Sequence, residues 1–238
     1  MLKVELHTHT ADDPVDAIPH TTCELIDRAA ALGYDALAVT LHDHELHLDP
    51  WKAYAEARGI VLIHGIERTI KGRHVLLLNF PRGAAERVTT FEDLARLKRS
   101  AAGLVLAPHP FFPGTTSLWS RLEQHADLFD AVERNAMFTH GVDFNRAAER
   151  WARRHGKPMV GNGDVHRLAQ LGPTYSLVDE TRRHPDAICG AIAAGRVRVI
   201  SQPLSPYTAA CIIGSMLLAK RPGLSVAAVR PAPRVNVD

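Results

Sequence analysis

Val4-Glu5-Leu6-His7-Thr8-His9-Thr10 is an apolar run that ends in two imidazoles one residue apart. On a strand, positions i and i+2 point to the same side, so His7 and His9 can reach one metal. An H-x-H pair is only moderately specific by itself. Its place at the end of an apolar strand raises its weight, and three further stretches repeat the geometry. They are Ala36-Leu37-Ala38-Val39-Thr40-Leu41-His42-Asp43-His44, Ile60-Val61-Leu62-Ile63-His64-Gly65-Ile66-Glu67 and Pro158-Met159-Val160-Gly161-Asn162-Gly163-Asp164-Val165-His166. Each reads as a buried strand with metal-ligand side chains at its C-terminal end. Parallel α/β folds build their active sites at that end. The chain therefore reads as a metalloenzyme.

Outward from these stretches, strands and helices alternate. The pattern predicts strands over Leu2–Leu6, Ala36–Thr40, Ile60–Ile66, His74–Phe80, Leu104–Ala107, Phe129–Glu133, Pro158–Val160, Tyr175–Val178 and Val197–Ile200. Helices are predicted over Thr21–Leu32, Trp51–Arg58, Thr90–Ser100, Leu118–His125, Val142–His155 and Pro185–Ala194. Gly33, Gly59 and Gly156 stand where helices stop, and Lys71-Gly72 reads as a hairpin turn. Repeated βα units at this spacing imply a parallel sheet or a barrel.

A chain of 238 residues with 46% hydrophobic residues can bury the core of one such domain. The net charge of +2 gives no case for bulk attraction to nucleic acid or membrane. Cys23, Cys189 and Cys211 are far apart and odd in number, which points to a reducing cytoplasm rather than a disulfide frame. No secretory signal precedes His7. The apolar stretch Ala209 to Ala219 is too short to span a bilayer and reads as a packing helix, with an oligomer contact as the alternative. The tail Arg221 to Asp238, rich in Pro, Arg and Val, reads as loosely ordered.

More ligand candidates follow the same logic. Glu67 is a carboxylate able to bridge two cations, and His74 returns beside it across the hairpin. Pro108 and Pro110 restrict the backbone around His109. Gly161 and Gly163 permit a tight turn before Asp164 and His166. His42 ranks ahead of His44 and His47. Asp12, Asp13 and Asp16 lie in the loop after the H-x-H pair, and one of them is expected to face the site. His20, His64, His125, His155 and His184 read as structural. Trp51, Trp119 and Trp151 read as packing residues. Arg68, Arg73, Arg134 and Arg167 are the cations nearest the ligands in sequence. Arg134, Asn135 and His140 are the candidates to touch a substrate at the mouth.

At this point the chain resembles the polymerase-and-histidinol-phosphatase (PHP) family of metal-dependent phosphoesterases over roughly Leu2 to Ser201. The resemblance rests on His7-Thr8-His9-Thr10, Ala38-Val39-Thr40-Leu41-His42-Asp43, Gly65-Ile66-Glu67, His109-Pro110 and Gly163-Asp164-Val165-His166, in family order. It implies a single-domain α/β fold, a distorted (β/α)7 TIM-like barrel. It also implies a trinuclear site: His7, His9, Glu67 and Asp164 on one metal, and Glu67, His74 and His109 on a second. His42, His166 and a loop residue would hold the third. Many family members carry that loop ligand seven or eight positions after the first His, where Pro14 and Val15 stand here. Asp16 is the choice and Asp13 the runner-up. The family's Thr-Asp-His is Thr40-Leu41-His42 here, so an Asp behind the ligand is missing.

The donor set, imidazoles and carboxylates without cysteine, suits Zn²⁺, Mn²⁺ or Fe²⁺. Two to three such ions are expected as cofactors. Metals about 3.5–4 Å apart trap a bridging hydroxide, which would hydrolyse a small phosphate mono- or diester. Glu67, Asp164 and His109 are the candidate catalytic residues. The alternatives are an amidohydrolase-like hydrolase of a C–N or C–O bond and a non-catalytic metal-bearing scaffold. The first would be expected to carry a strand-end Lys, and no motif here has one. The expected partner is a small phosphorylated substrate, without a membrane and without a case for nucleic acid. Residues 1–201 are expected to form the hydrolase domain, and 202–238 a helix and tail.

Overall fold

A computed structural model describes residues 1–219. The expectation of a loosely ordered tail from Arg221 to Asp238 lies outside the described residues. In chain order the elements are β1 (Leu2–Glu5), α1 (Thr22–Ala31), β2 (Ala36–Val39), α2 (Asp49–Glu56), β3 (Val61–Ile70) and β4 (Arg73–Leu78). Then come α3 (Phe91–Ser100), β5 (Leu104–Ala107), α4 (Ser120–Gln124), β6 (Ala131–Asn135), α5 (Asn145–His155) and β7 (Met159–Asn162). β8 (Thr174–Val178), α6 (Pro185–Ala193), β9 (Val197–Ser201) and α7 (Pro206–Ala219) complete the described chain.

Local chemistry sets the ends of these elements. Thr21 and Glu24 form a reciprocal capping box before α1, and Thr90 and Asp93 do the same for α3. Gly156 ends α5 in the left-handed region at φ 63°. Lys71 and Gly72 both take positive φ between β3 and β4, as a tight hairpin demands.

The sheet runs β7-β6-β5-β4-β3-β2-β1-β8-β9. β1, β2 and β3 are mutually parallel, as are β5, β6 and β7. β4 pairs antiparallel on both sides, and β8 antiparallel to β1. The two ends of the sheet meet. Gly161 N donates to Ser176 Oγ at 2.8 Å, where a Cβ on Gly161 would stand 2.7 Å from Tyr175 O. Beyond β7, His9 N donates to Val165 O and Val165 N to His7 O, both at 3.1 Å. The result is a nearly closed, distorted α/β barrel.

The barrel interior is packed with Val4, Ala36, Ala38, Ile63, Leu76, Leu106, Ala131 and Val160. α6 lays Ile188, Cys189, Ala191 and Ile192 against them. Because β8 runs opposite to β1, the helix after it starts at the end away from the ligands and forms the barrel's floor. α3, α4 and α5 cover the outside of β4–β6, and α1 and α2 cover β2.

Several placements depart from the sequence reading; α5, for one, begins at Asn145 rather than Val142. β3 runs on to Ile70, because β4 pairs with it after β2 has stopped at Val39. β6 is displaced two residues toward its C-terminus, to Ala131–Asn135. Trp51 and Trp151 are buried, but Trp119 is 43% exposed at φ 49°, with its ring 6.1 Å from that of Phe111 and at 78° to it. All three cysteines are unpaired. No helix among the described residues is long and apolar enough to cross a membrane.

Candidate metal centre

The C-terminal ends of the strands bring His7, His9, His42, Glu67, His74, His109, Asp164 and His166 together. Four sets of three have ligand atoms within 4.8 Å of one another: His7–His9–Glu67, His42–Glu67–His74, His7–His109–Asp164 and His9–His42–His166. Glu67 is at the centre and 1% exposed. Its Oε2 lies 3.3 Å from His7 Nε2, 3.3 Å from His9 Nε2 and 3.2 Å from His42 Nε2. Its Oε1 lies 2.6 Å from His74 Nδ1 and 3.1 Å from His109 Nε2. The bridge between His42 and Glu67 where β2 runs out gives Glu67 this position, and His74 shares its face two residues from the opposite partner Leu76. Asp164 Oδ1 lies 3.4 Å from His7 Nε2 and 3.3 Å from His166 Nδ1. Asp16 reaches the rim, with Oδ2 3.2 Å from His166 Nε2.

Behind the ligands stands a layer of carboxylates. Asp13 Oδ2 accepts from His9 Nδ1 and His42 Nδ1, both at 2.9 Å, and from His42 N at 3.0 Å. Its other oxygen accepts from Val15 N and Asp16 N at 2.9 Å. Asp13 therefore points away from the centre and fixes two imidazoles with Nε2 facing inward. Glu133 Oε1 lies 2.8 Å from His7 Nδ1 and Oε2 2.7 Å from His109 N. Asn162 and Asn135 also donate to Glu133. Glu5, wholly buried, accepts from Gly163 N at 2.9 Å and from His7 N at 3.1 Å. Carboxylates that hold the outer nitrogen of a metal-ligating His orient the ring and raise its basicity.

The electrostatics match. Burial alone would raise the Glu67 carboxyl, yet His74, His7 and His42 hold it well below the usual range. Burial pushes Asp164 the same way, and His7 and His166 reverse it. Burial disfavours a charged His9, but Asp13, Asp164 and Glu67 raise it to about 10. Burial lifts Glu5 to about 8 against the N–H groups of Gly163 and His7.

A divalent cation fits these residues. His7 Nε2, His9 Nε2 and His74 Nδ1 are buried and make no well-aligned hydrogen bond, although each lies within 3.3 Å of a Glu67 oxygen. Burying nitrogens so poorly paired is costly, and a cation at their convergence would accept their lone pairs. Two ligand candidates also sit in the left-handed region, His109 at φ 27° and Asp164 at φ 50°. Non-glycine residues held there cluster at functional sites.

The candidates for substrate contact fare differently. Strand alternation turns Glu133 and Asn135 into the barrel and Arg134 out of it. Arg134 pairs with Glu149 and with Asp143 at 3.4 Å, and bonds Ser201 Oγ at 3.1 Å. It is therefore not at the mouth. Asn135 faces in, but its amide donates to Glu133 and Asp164, both at 3.2 Å. His140 is exposed on the loop after β6. Arg68 bonds Val88 O and Asp43, and Arg73 bonds Thr115 O and Ser117 O, so neither points into the centre. Arg167 donates to His166 O and to Ser215 O of α7. Residue type alone does not single out Glu5, Asp13 and Glu133 as orienting groups. Alternation from His7 back to Glu5, and an acidic residue at an inward position of β6, were the available signals.

Comparisons with known proteins agree with this geometry. A family model described as PHP-associated matches residues 143–197. A DNA polymerase III PolC-type from Staphylococcus saprophyticus is 30% identical over 89 residues, 37% of this chain and 6% of that protein. Among solved structures, one is a two-domain protein from Bacteroides vulgatus containing a predicted PHP-like metal-dependent phosphoesterase. It matches with a TM-score of 0.66 at 21% identity, over 84% of this chain and 65% of that one. PsfC from Pseudomonas syringae matches with a TM-score of 0.64 at 17% identity, over 92% of this chain and 98% of that one. Endonuclease Q, in complex with a 27-mer duplex substrate with an abasic lesion at its active site, matches with a TM-score of 0.57 at 17% identity, over 81% of this chain and 56% of that one. The chain thus spans a small part of the polymerase and about two thirds of the Bacteroides protein.

These relatives overturn one expectation. Near-neutral charge left nucleic acid without a case, yet one relative is a DNA polymerase and another holds a DNA duplex at its active site. Net charge reports bulk attraction and says nothing of a phosphodiester gripped by a local metal centre. The barrel, the ordered ligand motifs and the PHP-associated match over residues 143–197 converge in support of the PHP domain family.

Proposed function

We propose that this protein is a metal-dependent phosphoesterase that hydrolyses a phosphate mono- or diester, with nucleotide and nucleic-acid esters within its scope. The observation that carries the reading is the convergence on Glu67 and Asp164 of three buried imidazole nitrogens that make no well-aligned hydrogen bond. His7, His9, Glu67 and Asp164 would hold one ion, Glu67, His74 and His109 a second, and His42, His166 and Asp16 a third. Bound divalent ions supply an acidic water as nucleophile and neutralise the phosphoryl oxygens.

The chain's own residues do the rest. Asp13 and Glu133 hold the imidazoles so that their free nitrogens face one point. The low positions of the Glu67 and Asp164 carboxyls keep both ionised throughout the neutral range, ready as ligands. No Ser or Cys nucleophile beside a base stands at this point among the described residues, and Asp164 and Asp16 are assigned here as metal ligands, so a single in-line displacement is the simplest path. The nucleic-acid relatives support a phosphodiester as readily as a monoester.

The experiment is phosphate release from a panel of phosphoesters after reconstitution with Mn²⁺, Fe²⁺ and Zn²⁺ in turn. A chiral phosphorothioate substrate then reads the stereochemistry. Turnover that stops with chelator and inverts phosphorus is expected. Turnover of an amide or lactone with no phosphoester cleaved would contradict the proposal.

A further inference from the structure

Two aromatic rings stand beside the centre, outside the three packed core clusters. Phe112 lies three residues after His109, and its ring centroid is 6.5 Å from the His109 imidazole. Phe144 comes from the next loop, after β6, with its ring 5.5 Å from Phe112 and tilted by 58°. Phe112 is half-buried and Phe144 is 40% exposed.

Both rings are held in place by the residues that build the centre. Phe112 N donates to His109 O at 3.1 Å, and Ser117 Oγ donates to the same carbonyl at 3.0 Å. Arg73 grips the far side of that loop through Thr115 O and Ser117 O. Phe144 precedes Asn145, whose side chain pairs with Asn135 N at 2.8 Å and Asn135 O at 3.0 Å. Asn135 in turn donates to Asp164. Two partly exposed rings on separate loops, Phe112 bonded through its backbone to His109 and Phe144 linked through its neighbour Asn145 and then Asn135 to Asp164, form a preorganised apolar step rather than leftover surface.

We propose that Phe112 and Phe144 stack the base of a nucleoside phosphoester, making them specificity-determining residues of this site. The proposal rests on the phosphoesterase reading above. Phe144 keeps 40% of its surface in solvent beside the tilted Phe112 ring, and a planar base added there can take the offset or edge-to-face geometry that aromatic pairs favour. Stacking of this kind binds any base, without regard to sequence. One sugar separates a nucleotide's base from its phosphate. A base on Phe112 therefore brings its phosphoester next to His109. An open-chain phosphoester carries nothing planar for the step to hold.

The test compares adenosine 5′-monophosphate with ribose 5-phosphate on the metal-loaded enzyme. Wild type should prefer the nucleotide in kcat/KM. Phe112→Leu, which keeps an apolar side chain without a ring, should lower that preference by roughly tenfold, and Phe112→Trp should restore it. Phe144→Leu should act in the same direction. Saturation-transfer NMR with adenosine, which has no phosphate, reads the step without catalysis: base protons should receive saturation from wild type and less from Phe112→Leu. An unchanged preference in Phe112→Leu, or no saturation of the base protons in wild type, would overturn the stacking step. Adenosine binding without turnover of either phosphate or of any mono- or diester in the panel would overturn the phosphoesterase reading and leave the step standing.

Discussion

At the residue scale the most informative group is Asp13. One of its oxygens meets two imidazoles, and the other caps the loop that presents Asp16. The sequence offered Asp12, Asp13 and Asp16 within one loop, and nothing in residue type separates a ligand from a group that orients ligands. Only the fold, by placing Asp13 behind His9 and His42, makes the distinction. Asp13→Ala should leave two buried Nδ1 donors unpaired and weaken metal binding by about 10–100-fold. Chelator competition on the refolded variant checks this, and wild-type affinity would contradict it. His20 carries a second prediction. It donates from Nε2 to His9 O at 2.9 Å, while its Nδ1 is buried without a partner. Burial lowers its pKa to about 4, so the folded protein keeps it neutral. Its protonation favours the unfolded chain, and stability should fall as pH drops from about 6.5 toward 4, by on the order of 3 kcal/mol at most. Denaturation of the metal-free protein across that window should show a shallower slope for His20→Gln than for wild type.

At the element scale, β6 shows where sequence reading runs out. The apolar start at Phe129 pulled the expected strand two residues early, which placed Arg134 and Asn135 beyond its end. Inside the actual strand they alternate, so Glu133 and Asn135 enter the barrel and Arg134 pairs with α5. Pairing with β7 fixes that register, with Arg134 opposite Gly161, and pairing is a non-local fact. The parallel strands themselves were legible because each is a short apolar run closed by polar ligands. The floor was not, because nothing local in α6 says that it enters the barrel. Ile192→Ala should cost about 2–5 kcal/mol, as a cavity opens against Val4, Ala36 and their neighbours. Urea unfolding measures it, and a loss below about 0.5 kcal/mol would remove α6 from the core. The same burial pushes the Cys189 thiol up to about 12. A thiol reagent at pH 8 should therefore label exposed Cys211 at once and Cys189 only after unfolding.

At the scale of the whole molecule, the barrel gathers side chains from His7 to His166 around one carboxylate, Glu67. Six buried histidines in close contact need hydrogen-bond and charge complementarity around them. Glu67, Asp164, Asp13 and Glu133 supply part of it, and bound cations would complete the lone-pair pairing that His7, His9 and His74 lack. The measurement that tests this most directly is elemental analysis of the purified protein beside Glu67→Ala, after reconstitution with Mn²⁺, Fe²⁺ and Zn²⁺ in turn. The account predicts two to three equivalents of divalent metal in wild type and the loss of at least two in the variant. Less than one equivalent in wild type, or an undiminished content in Glu67→Ala, would contradict it.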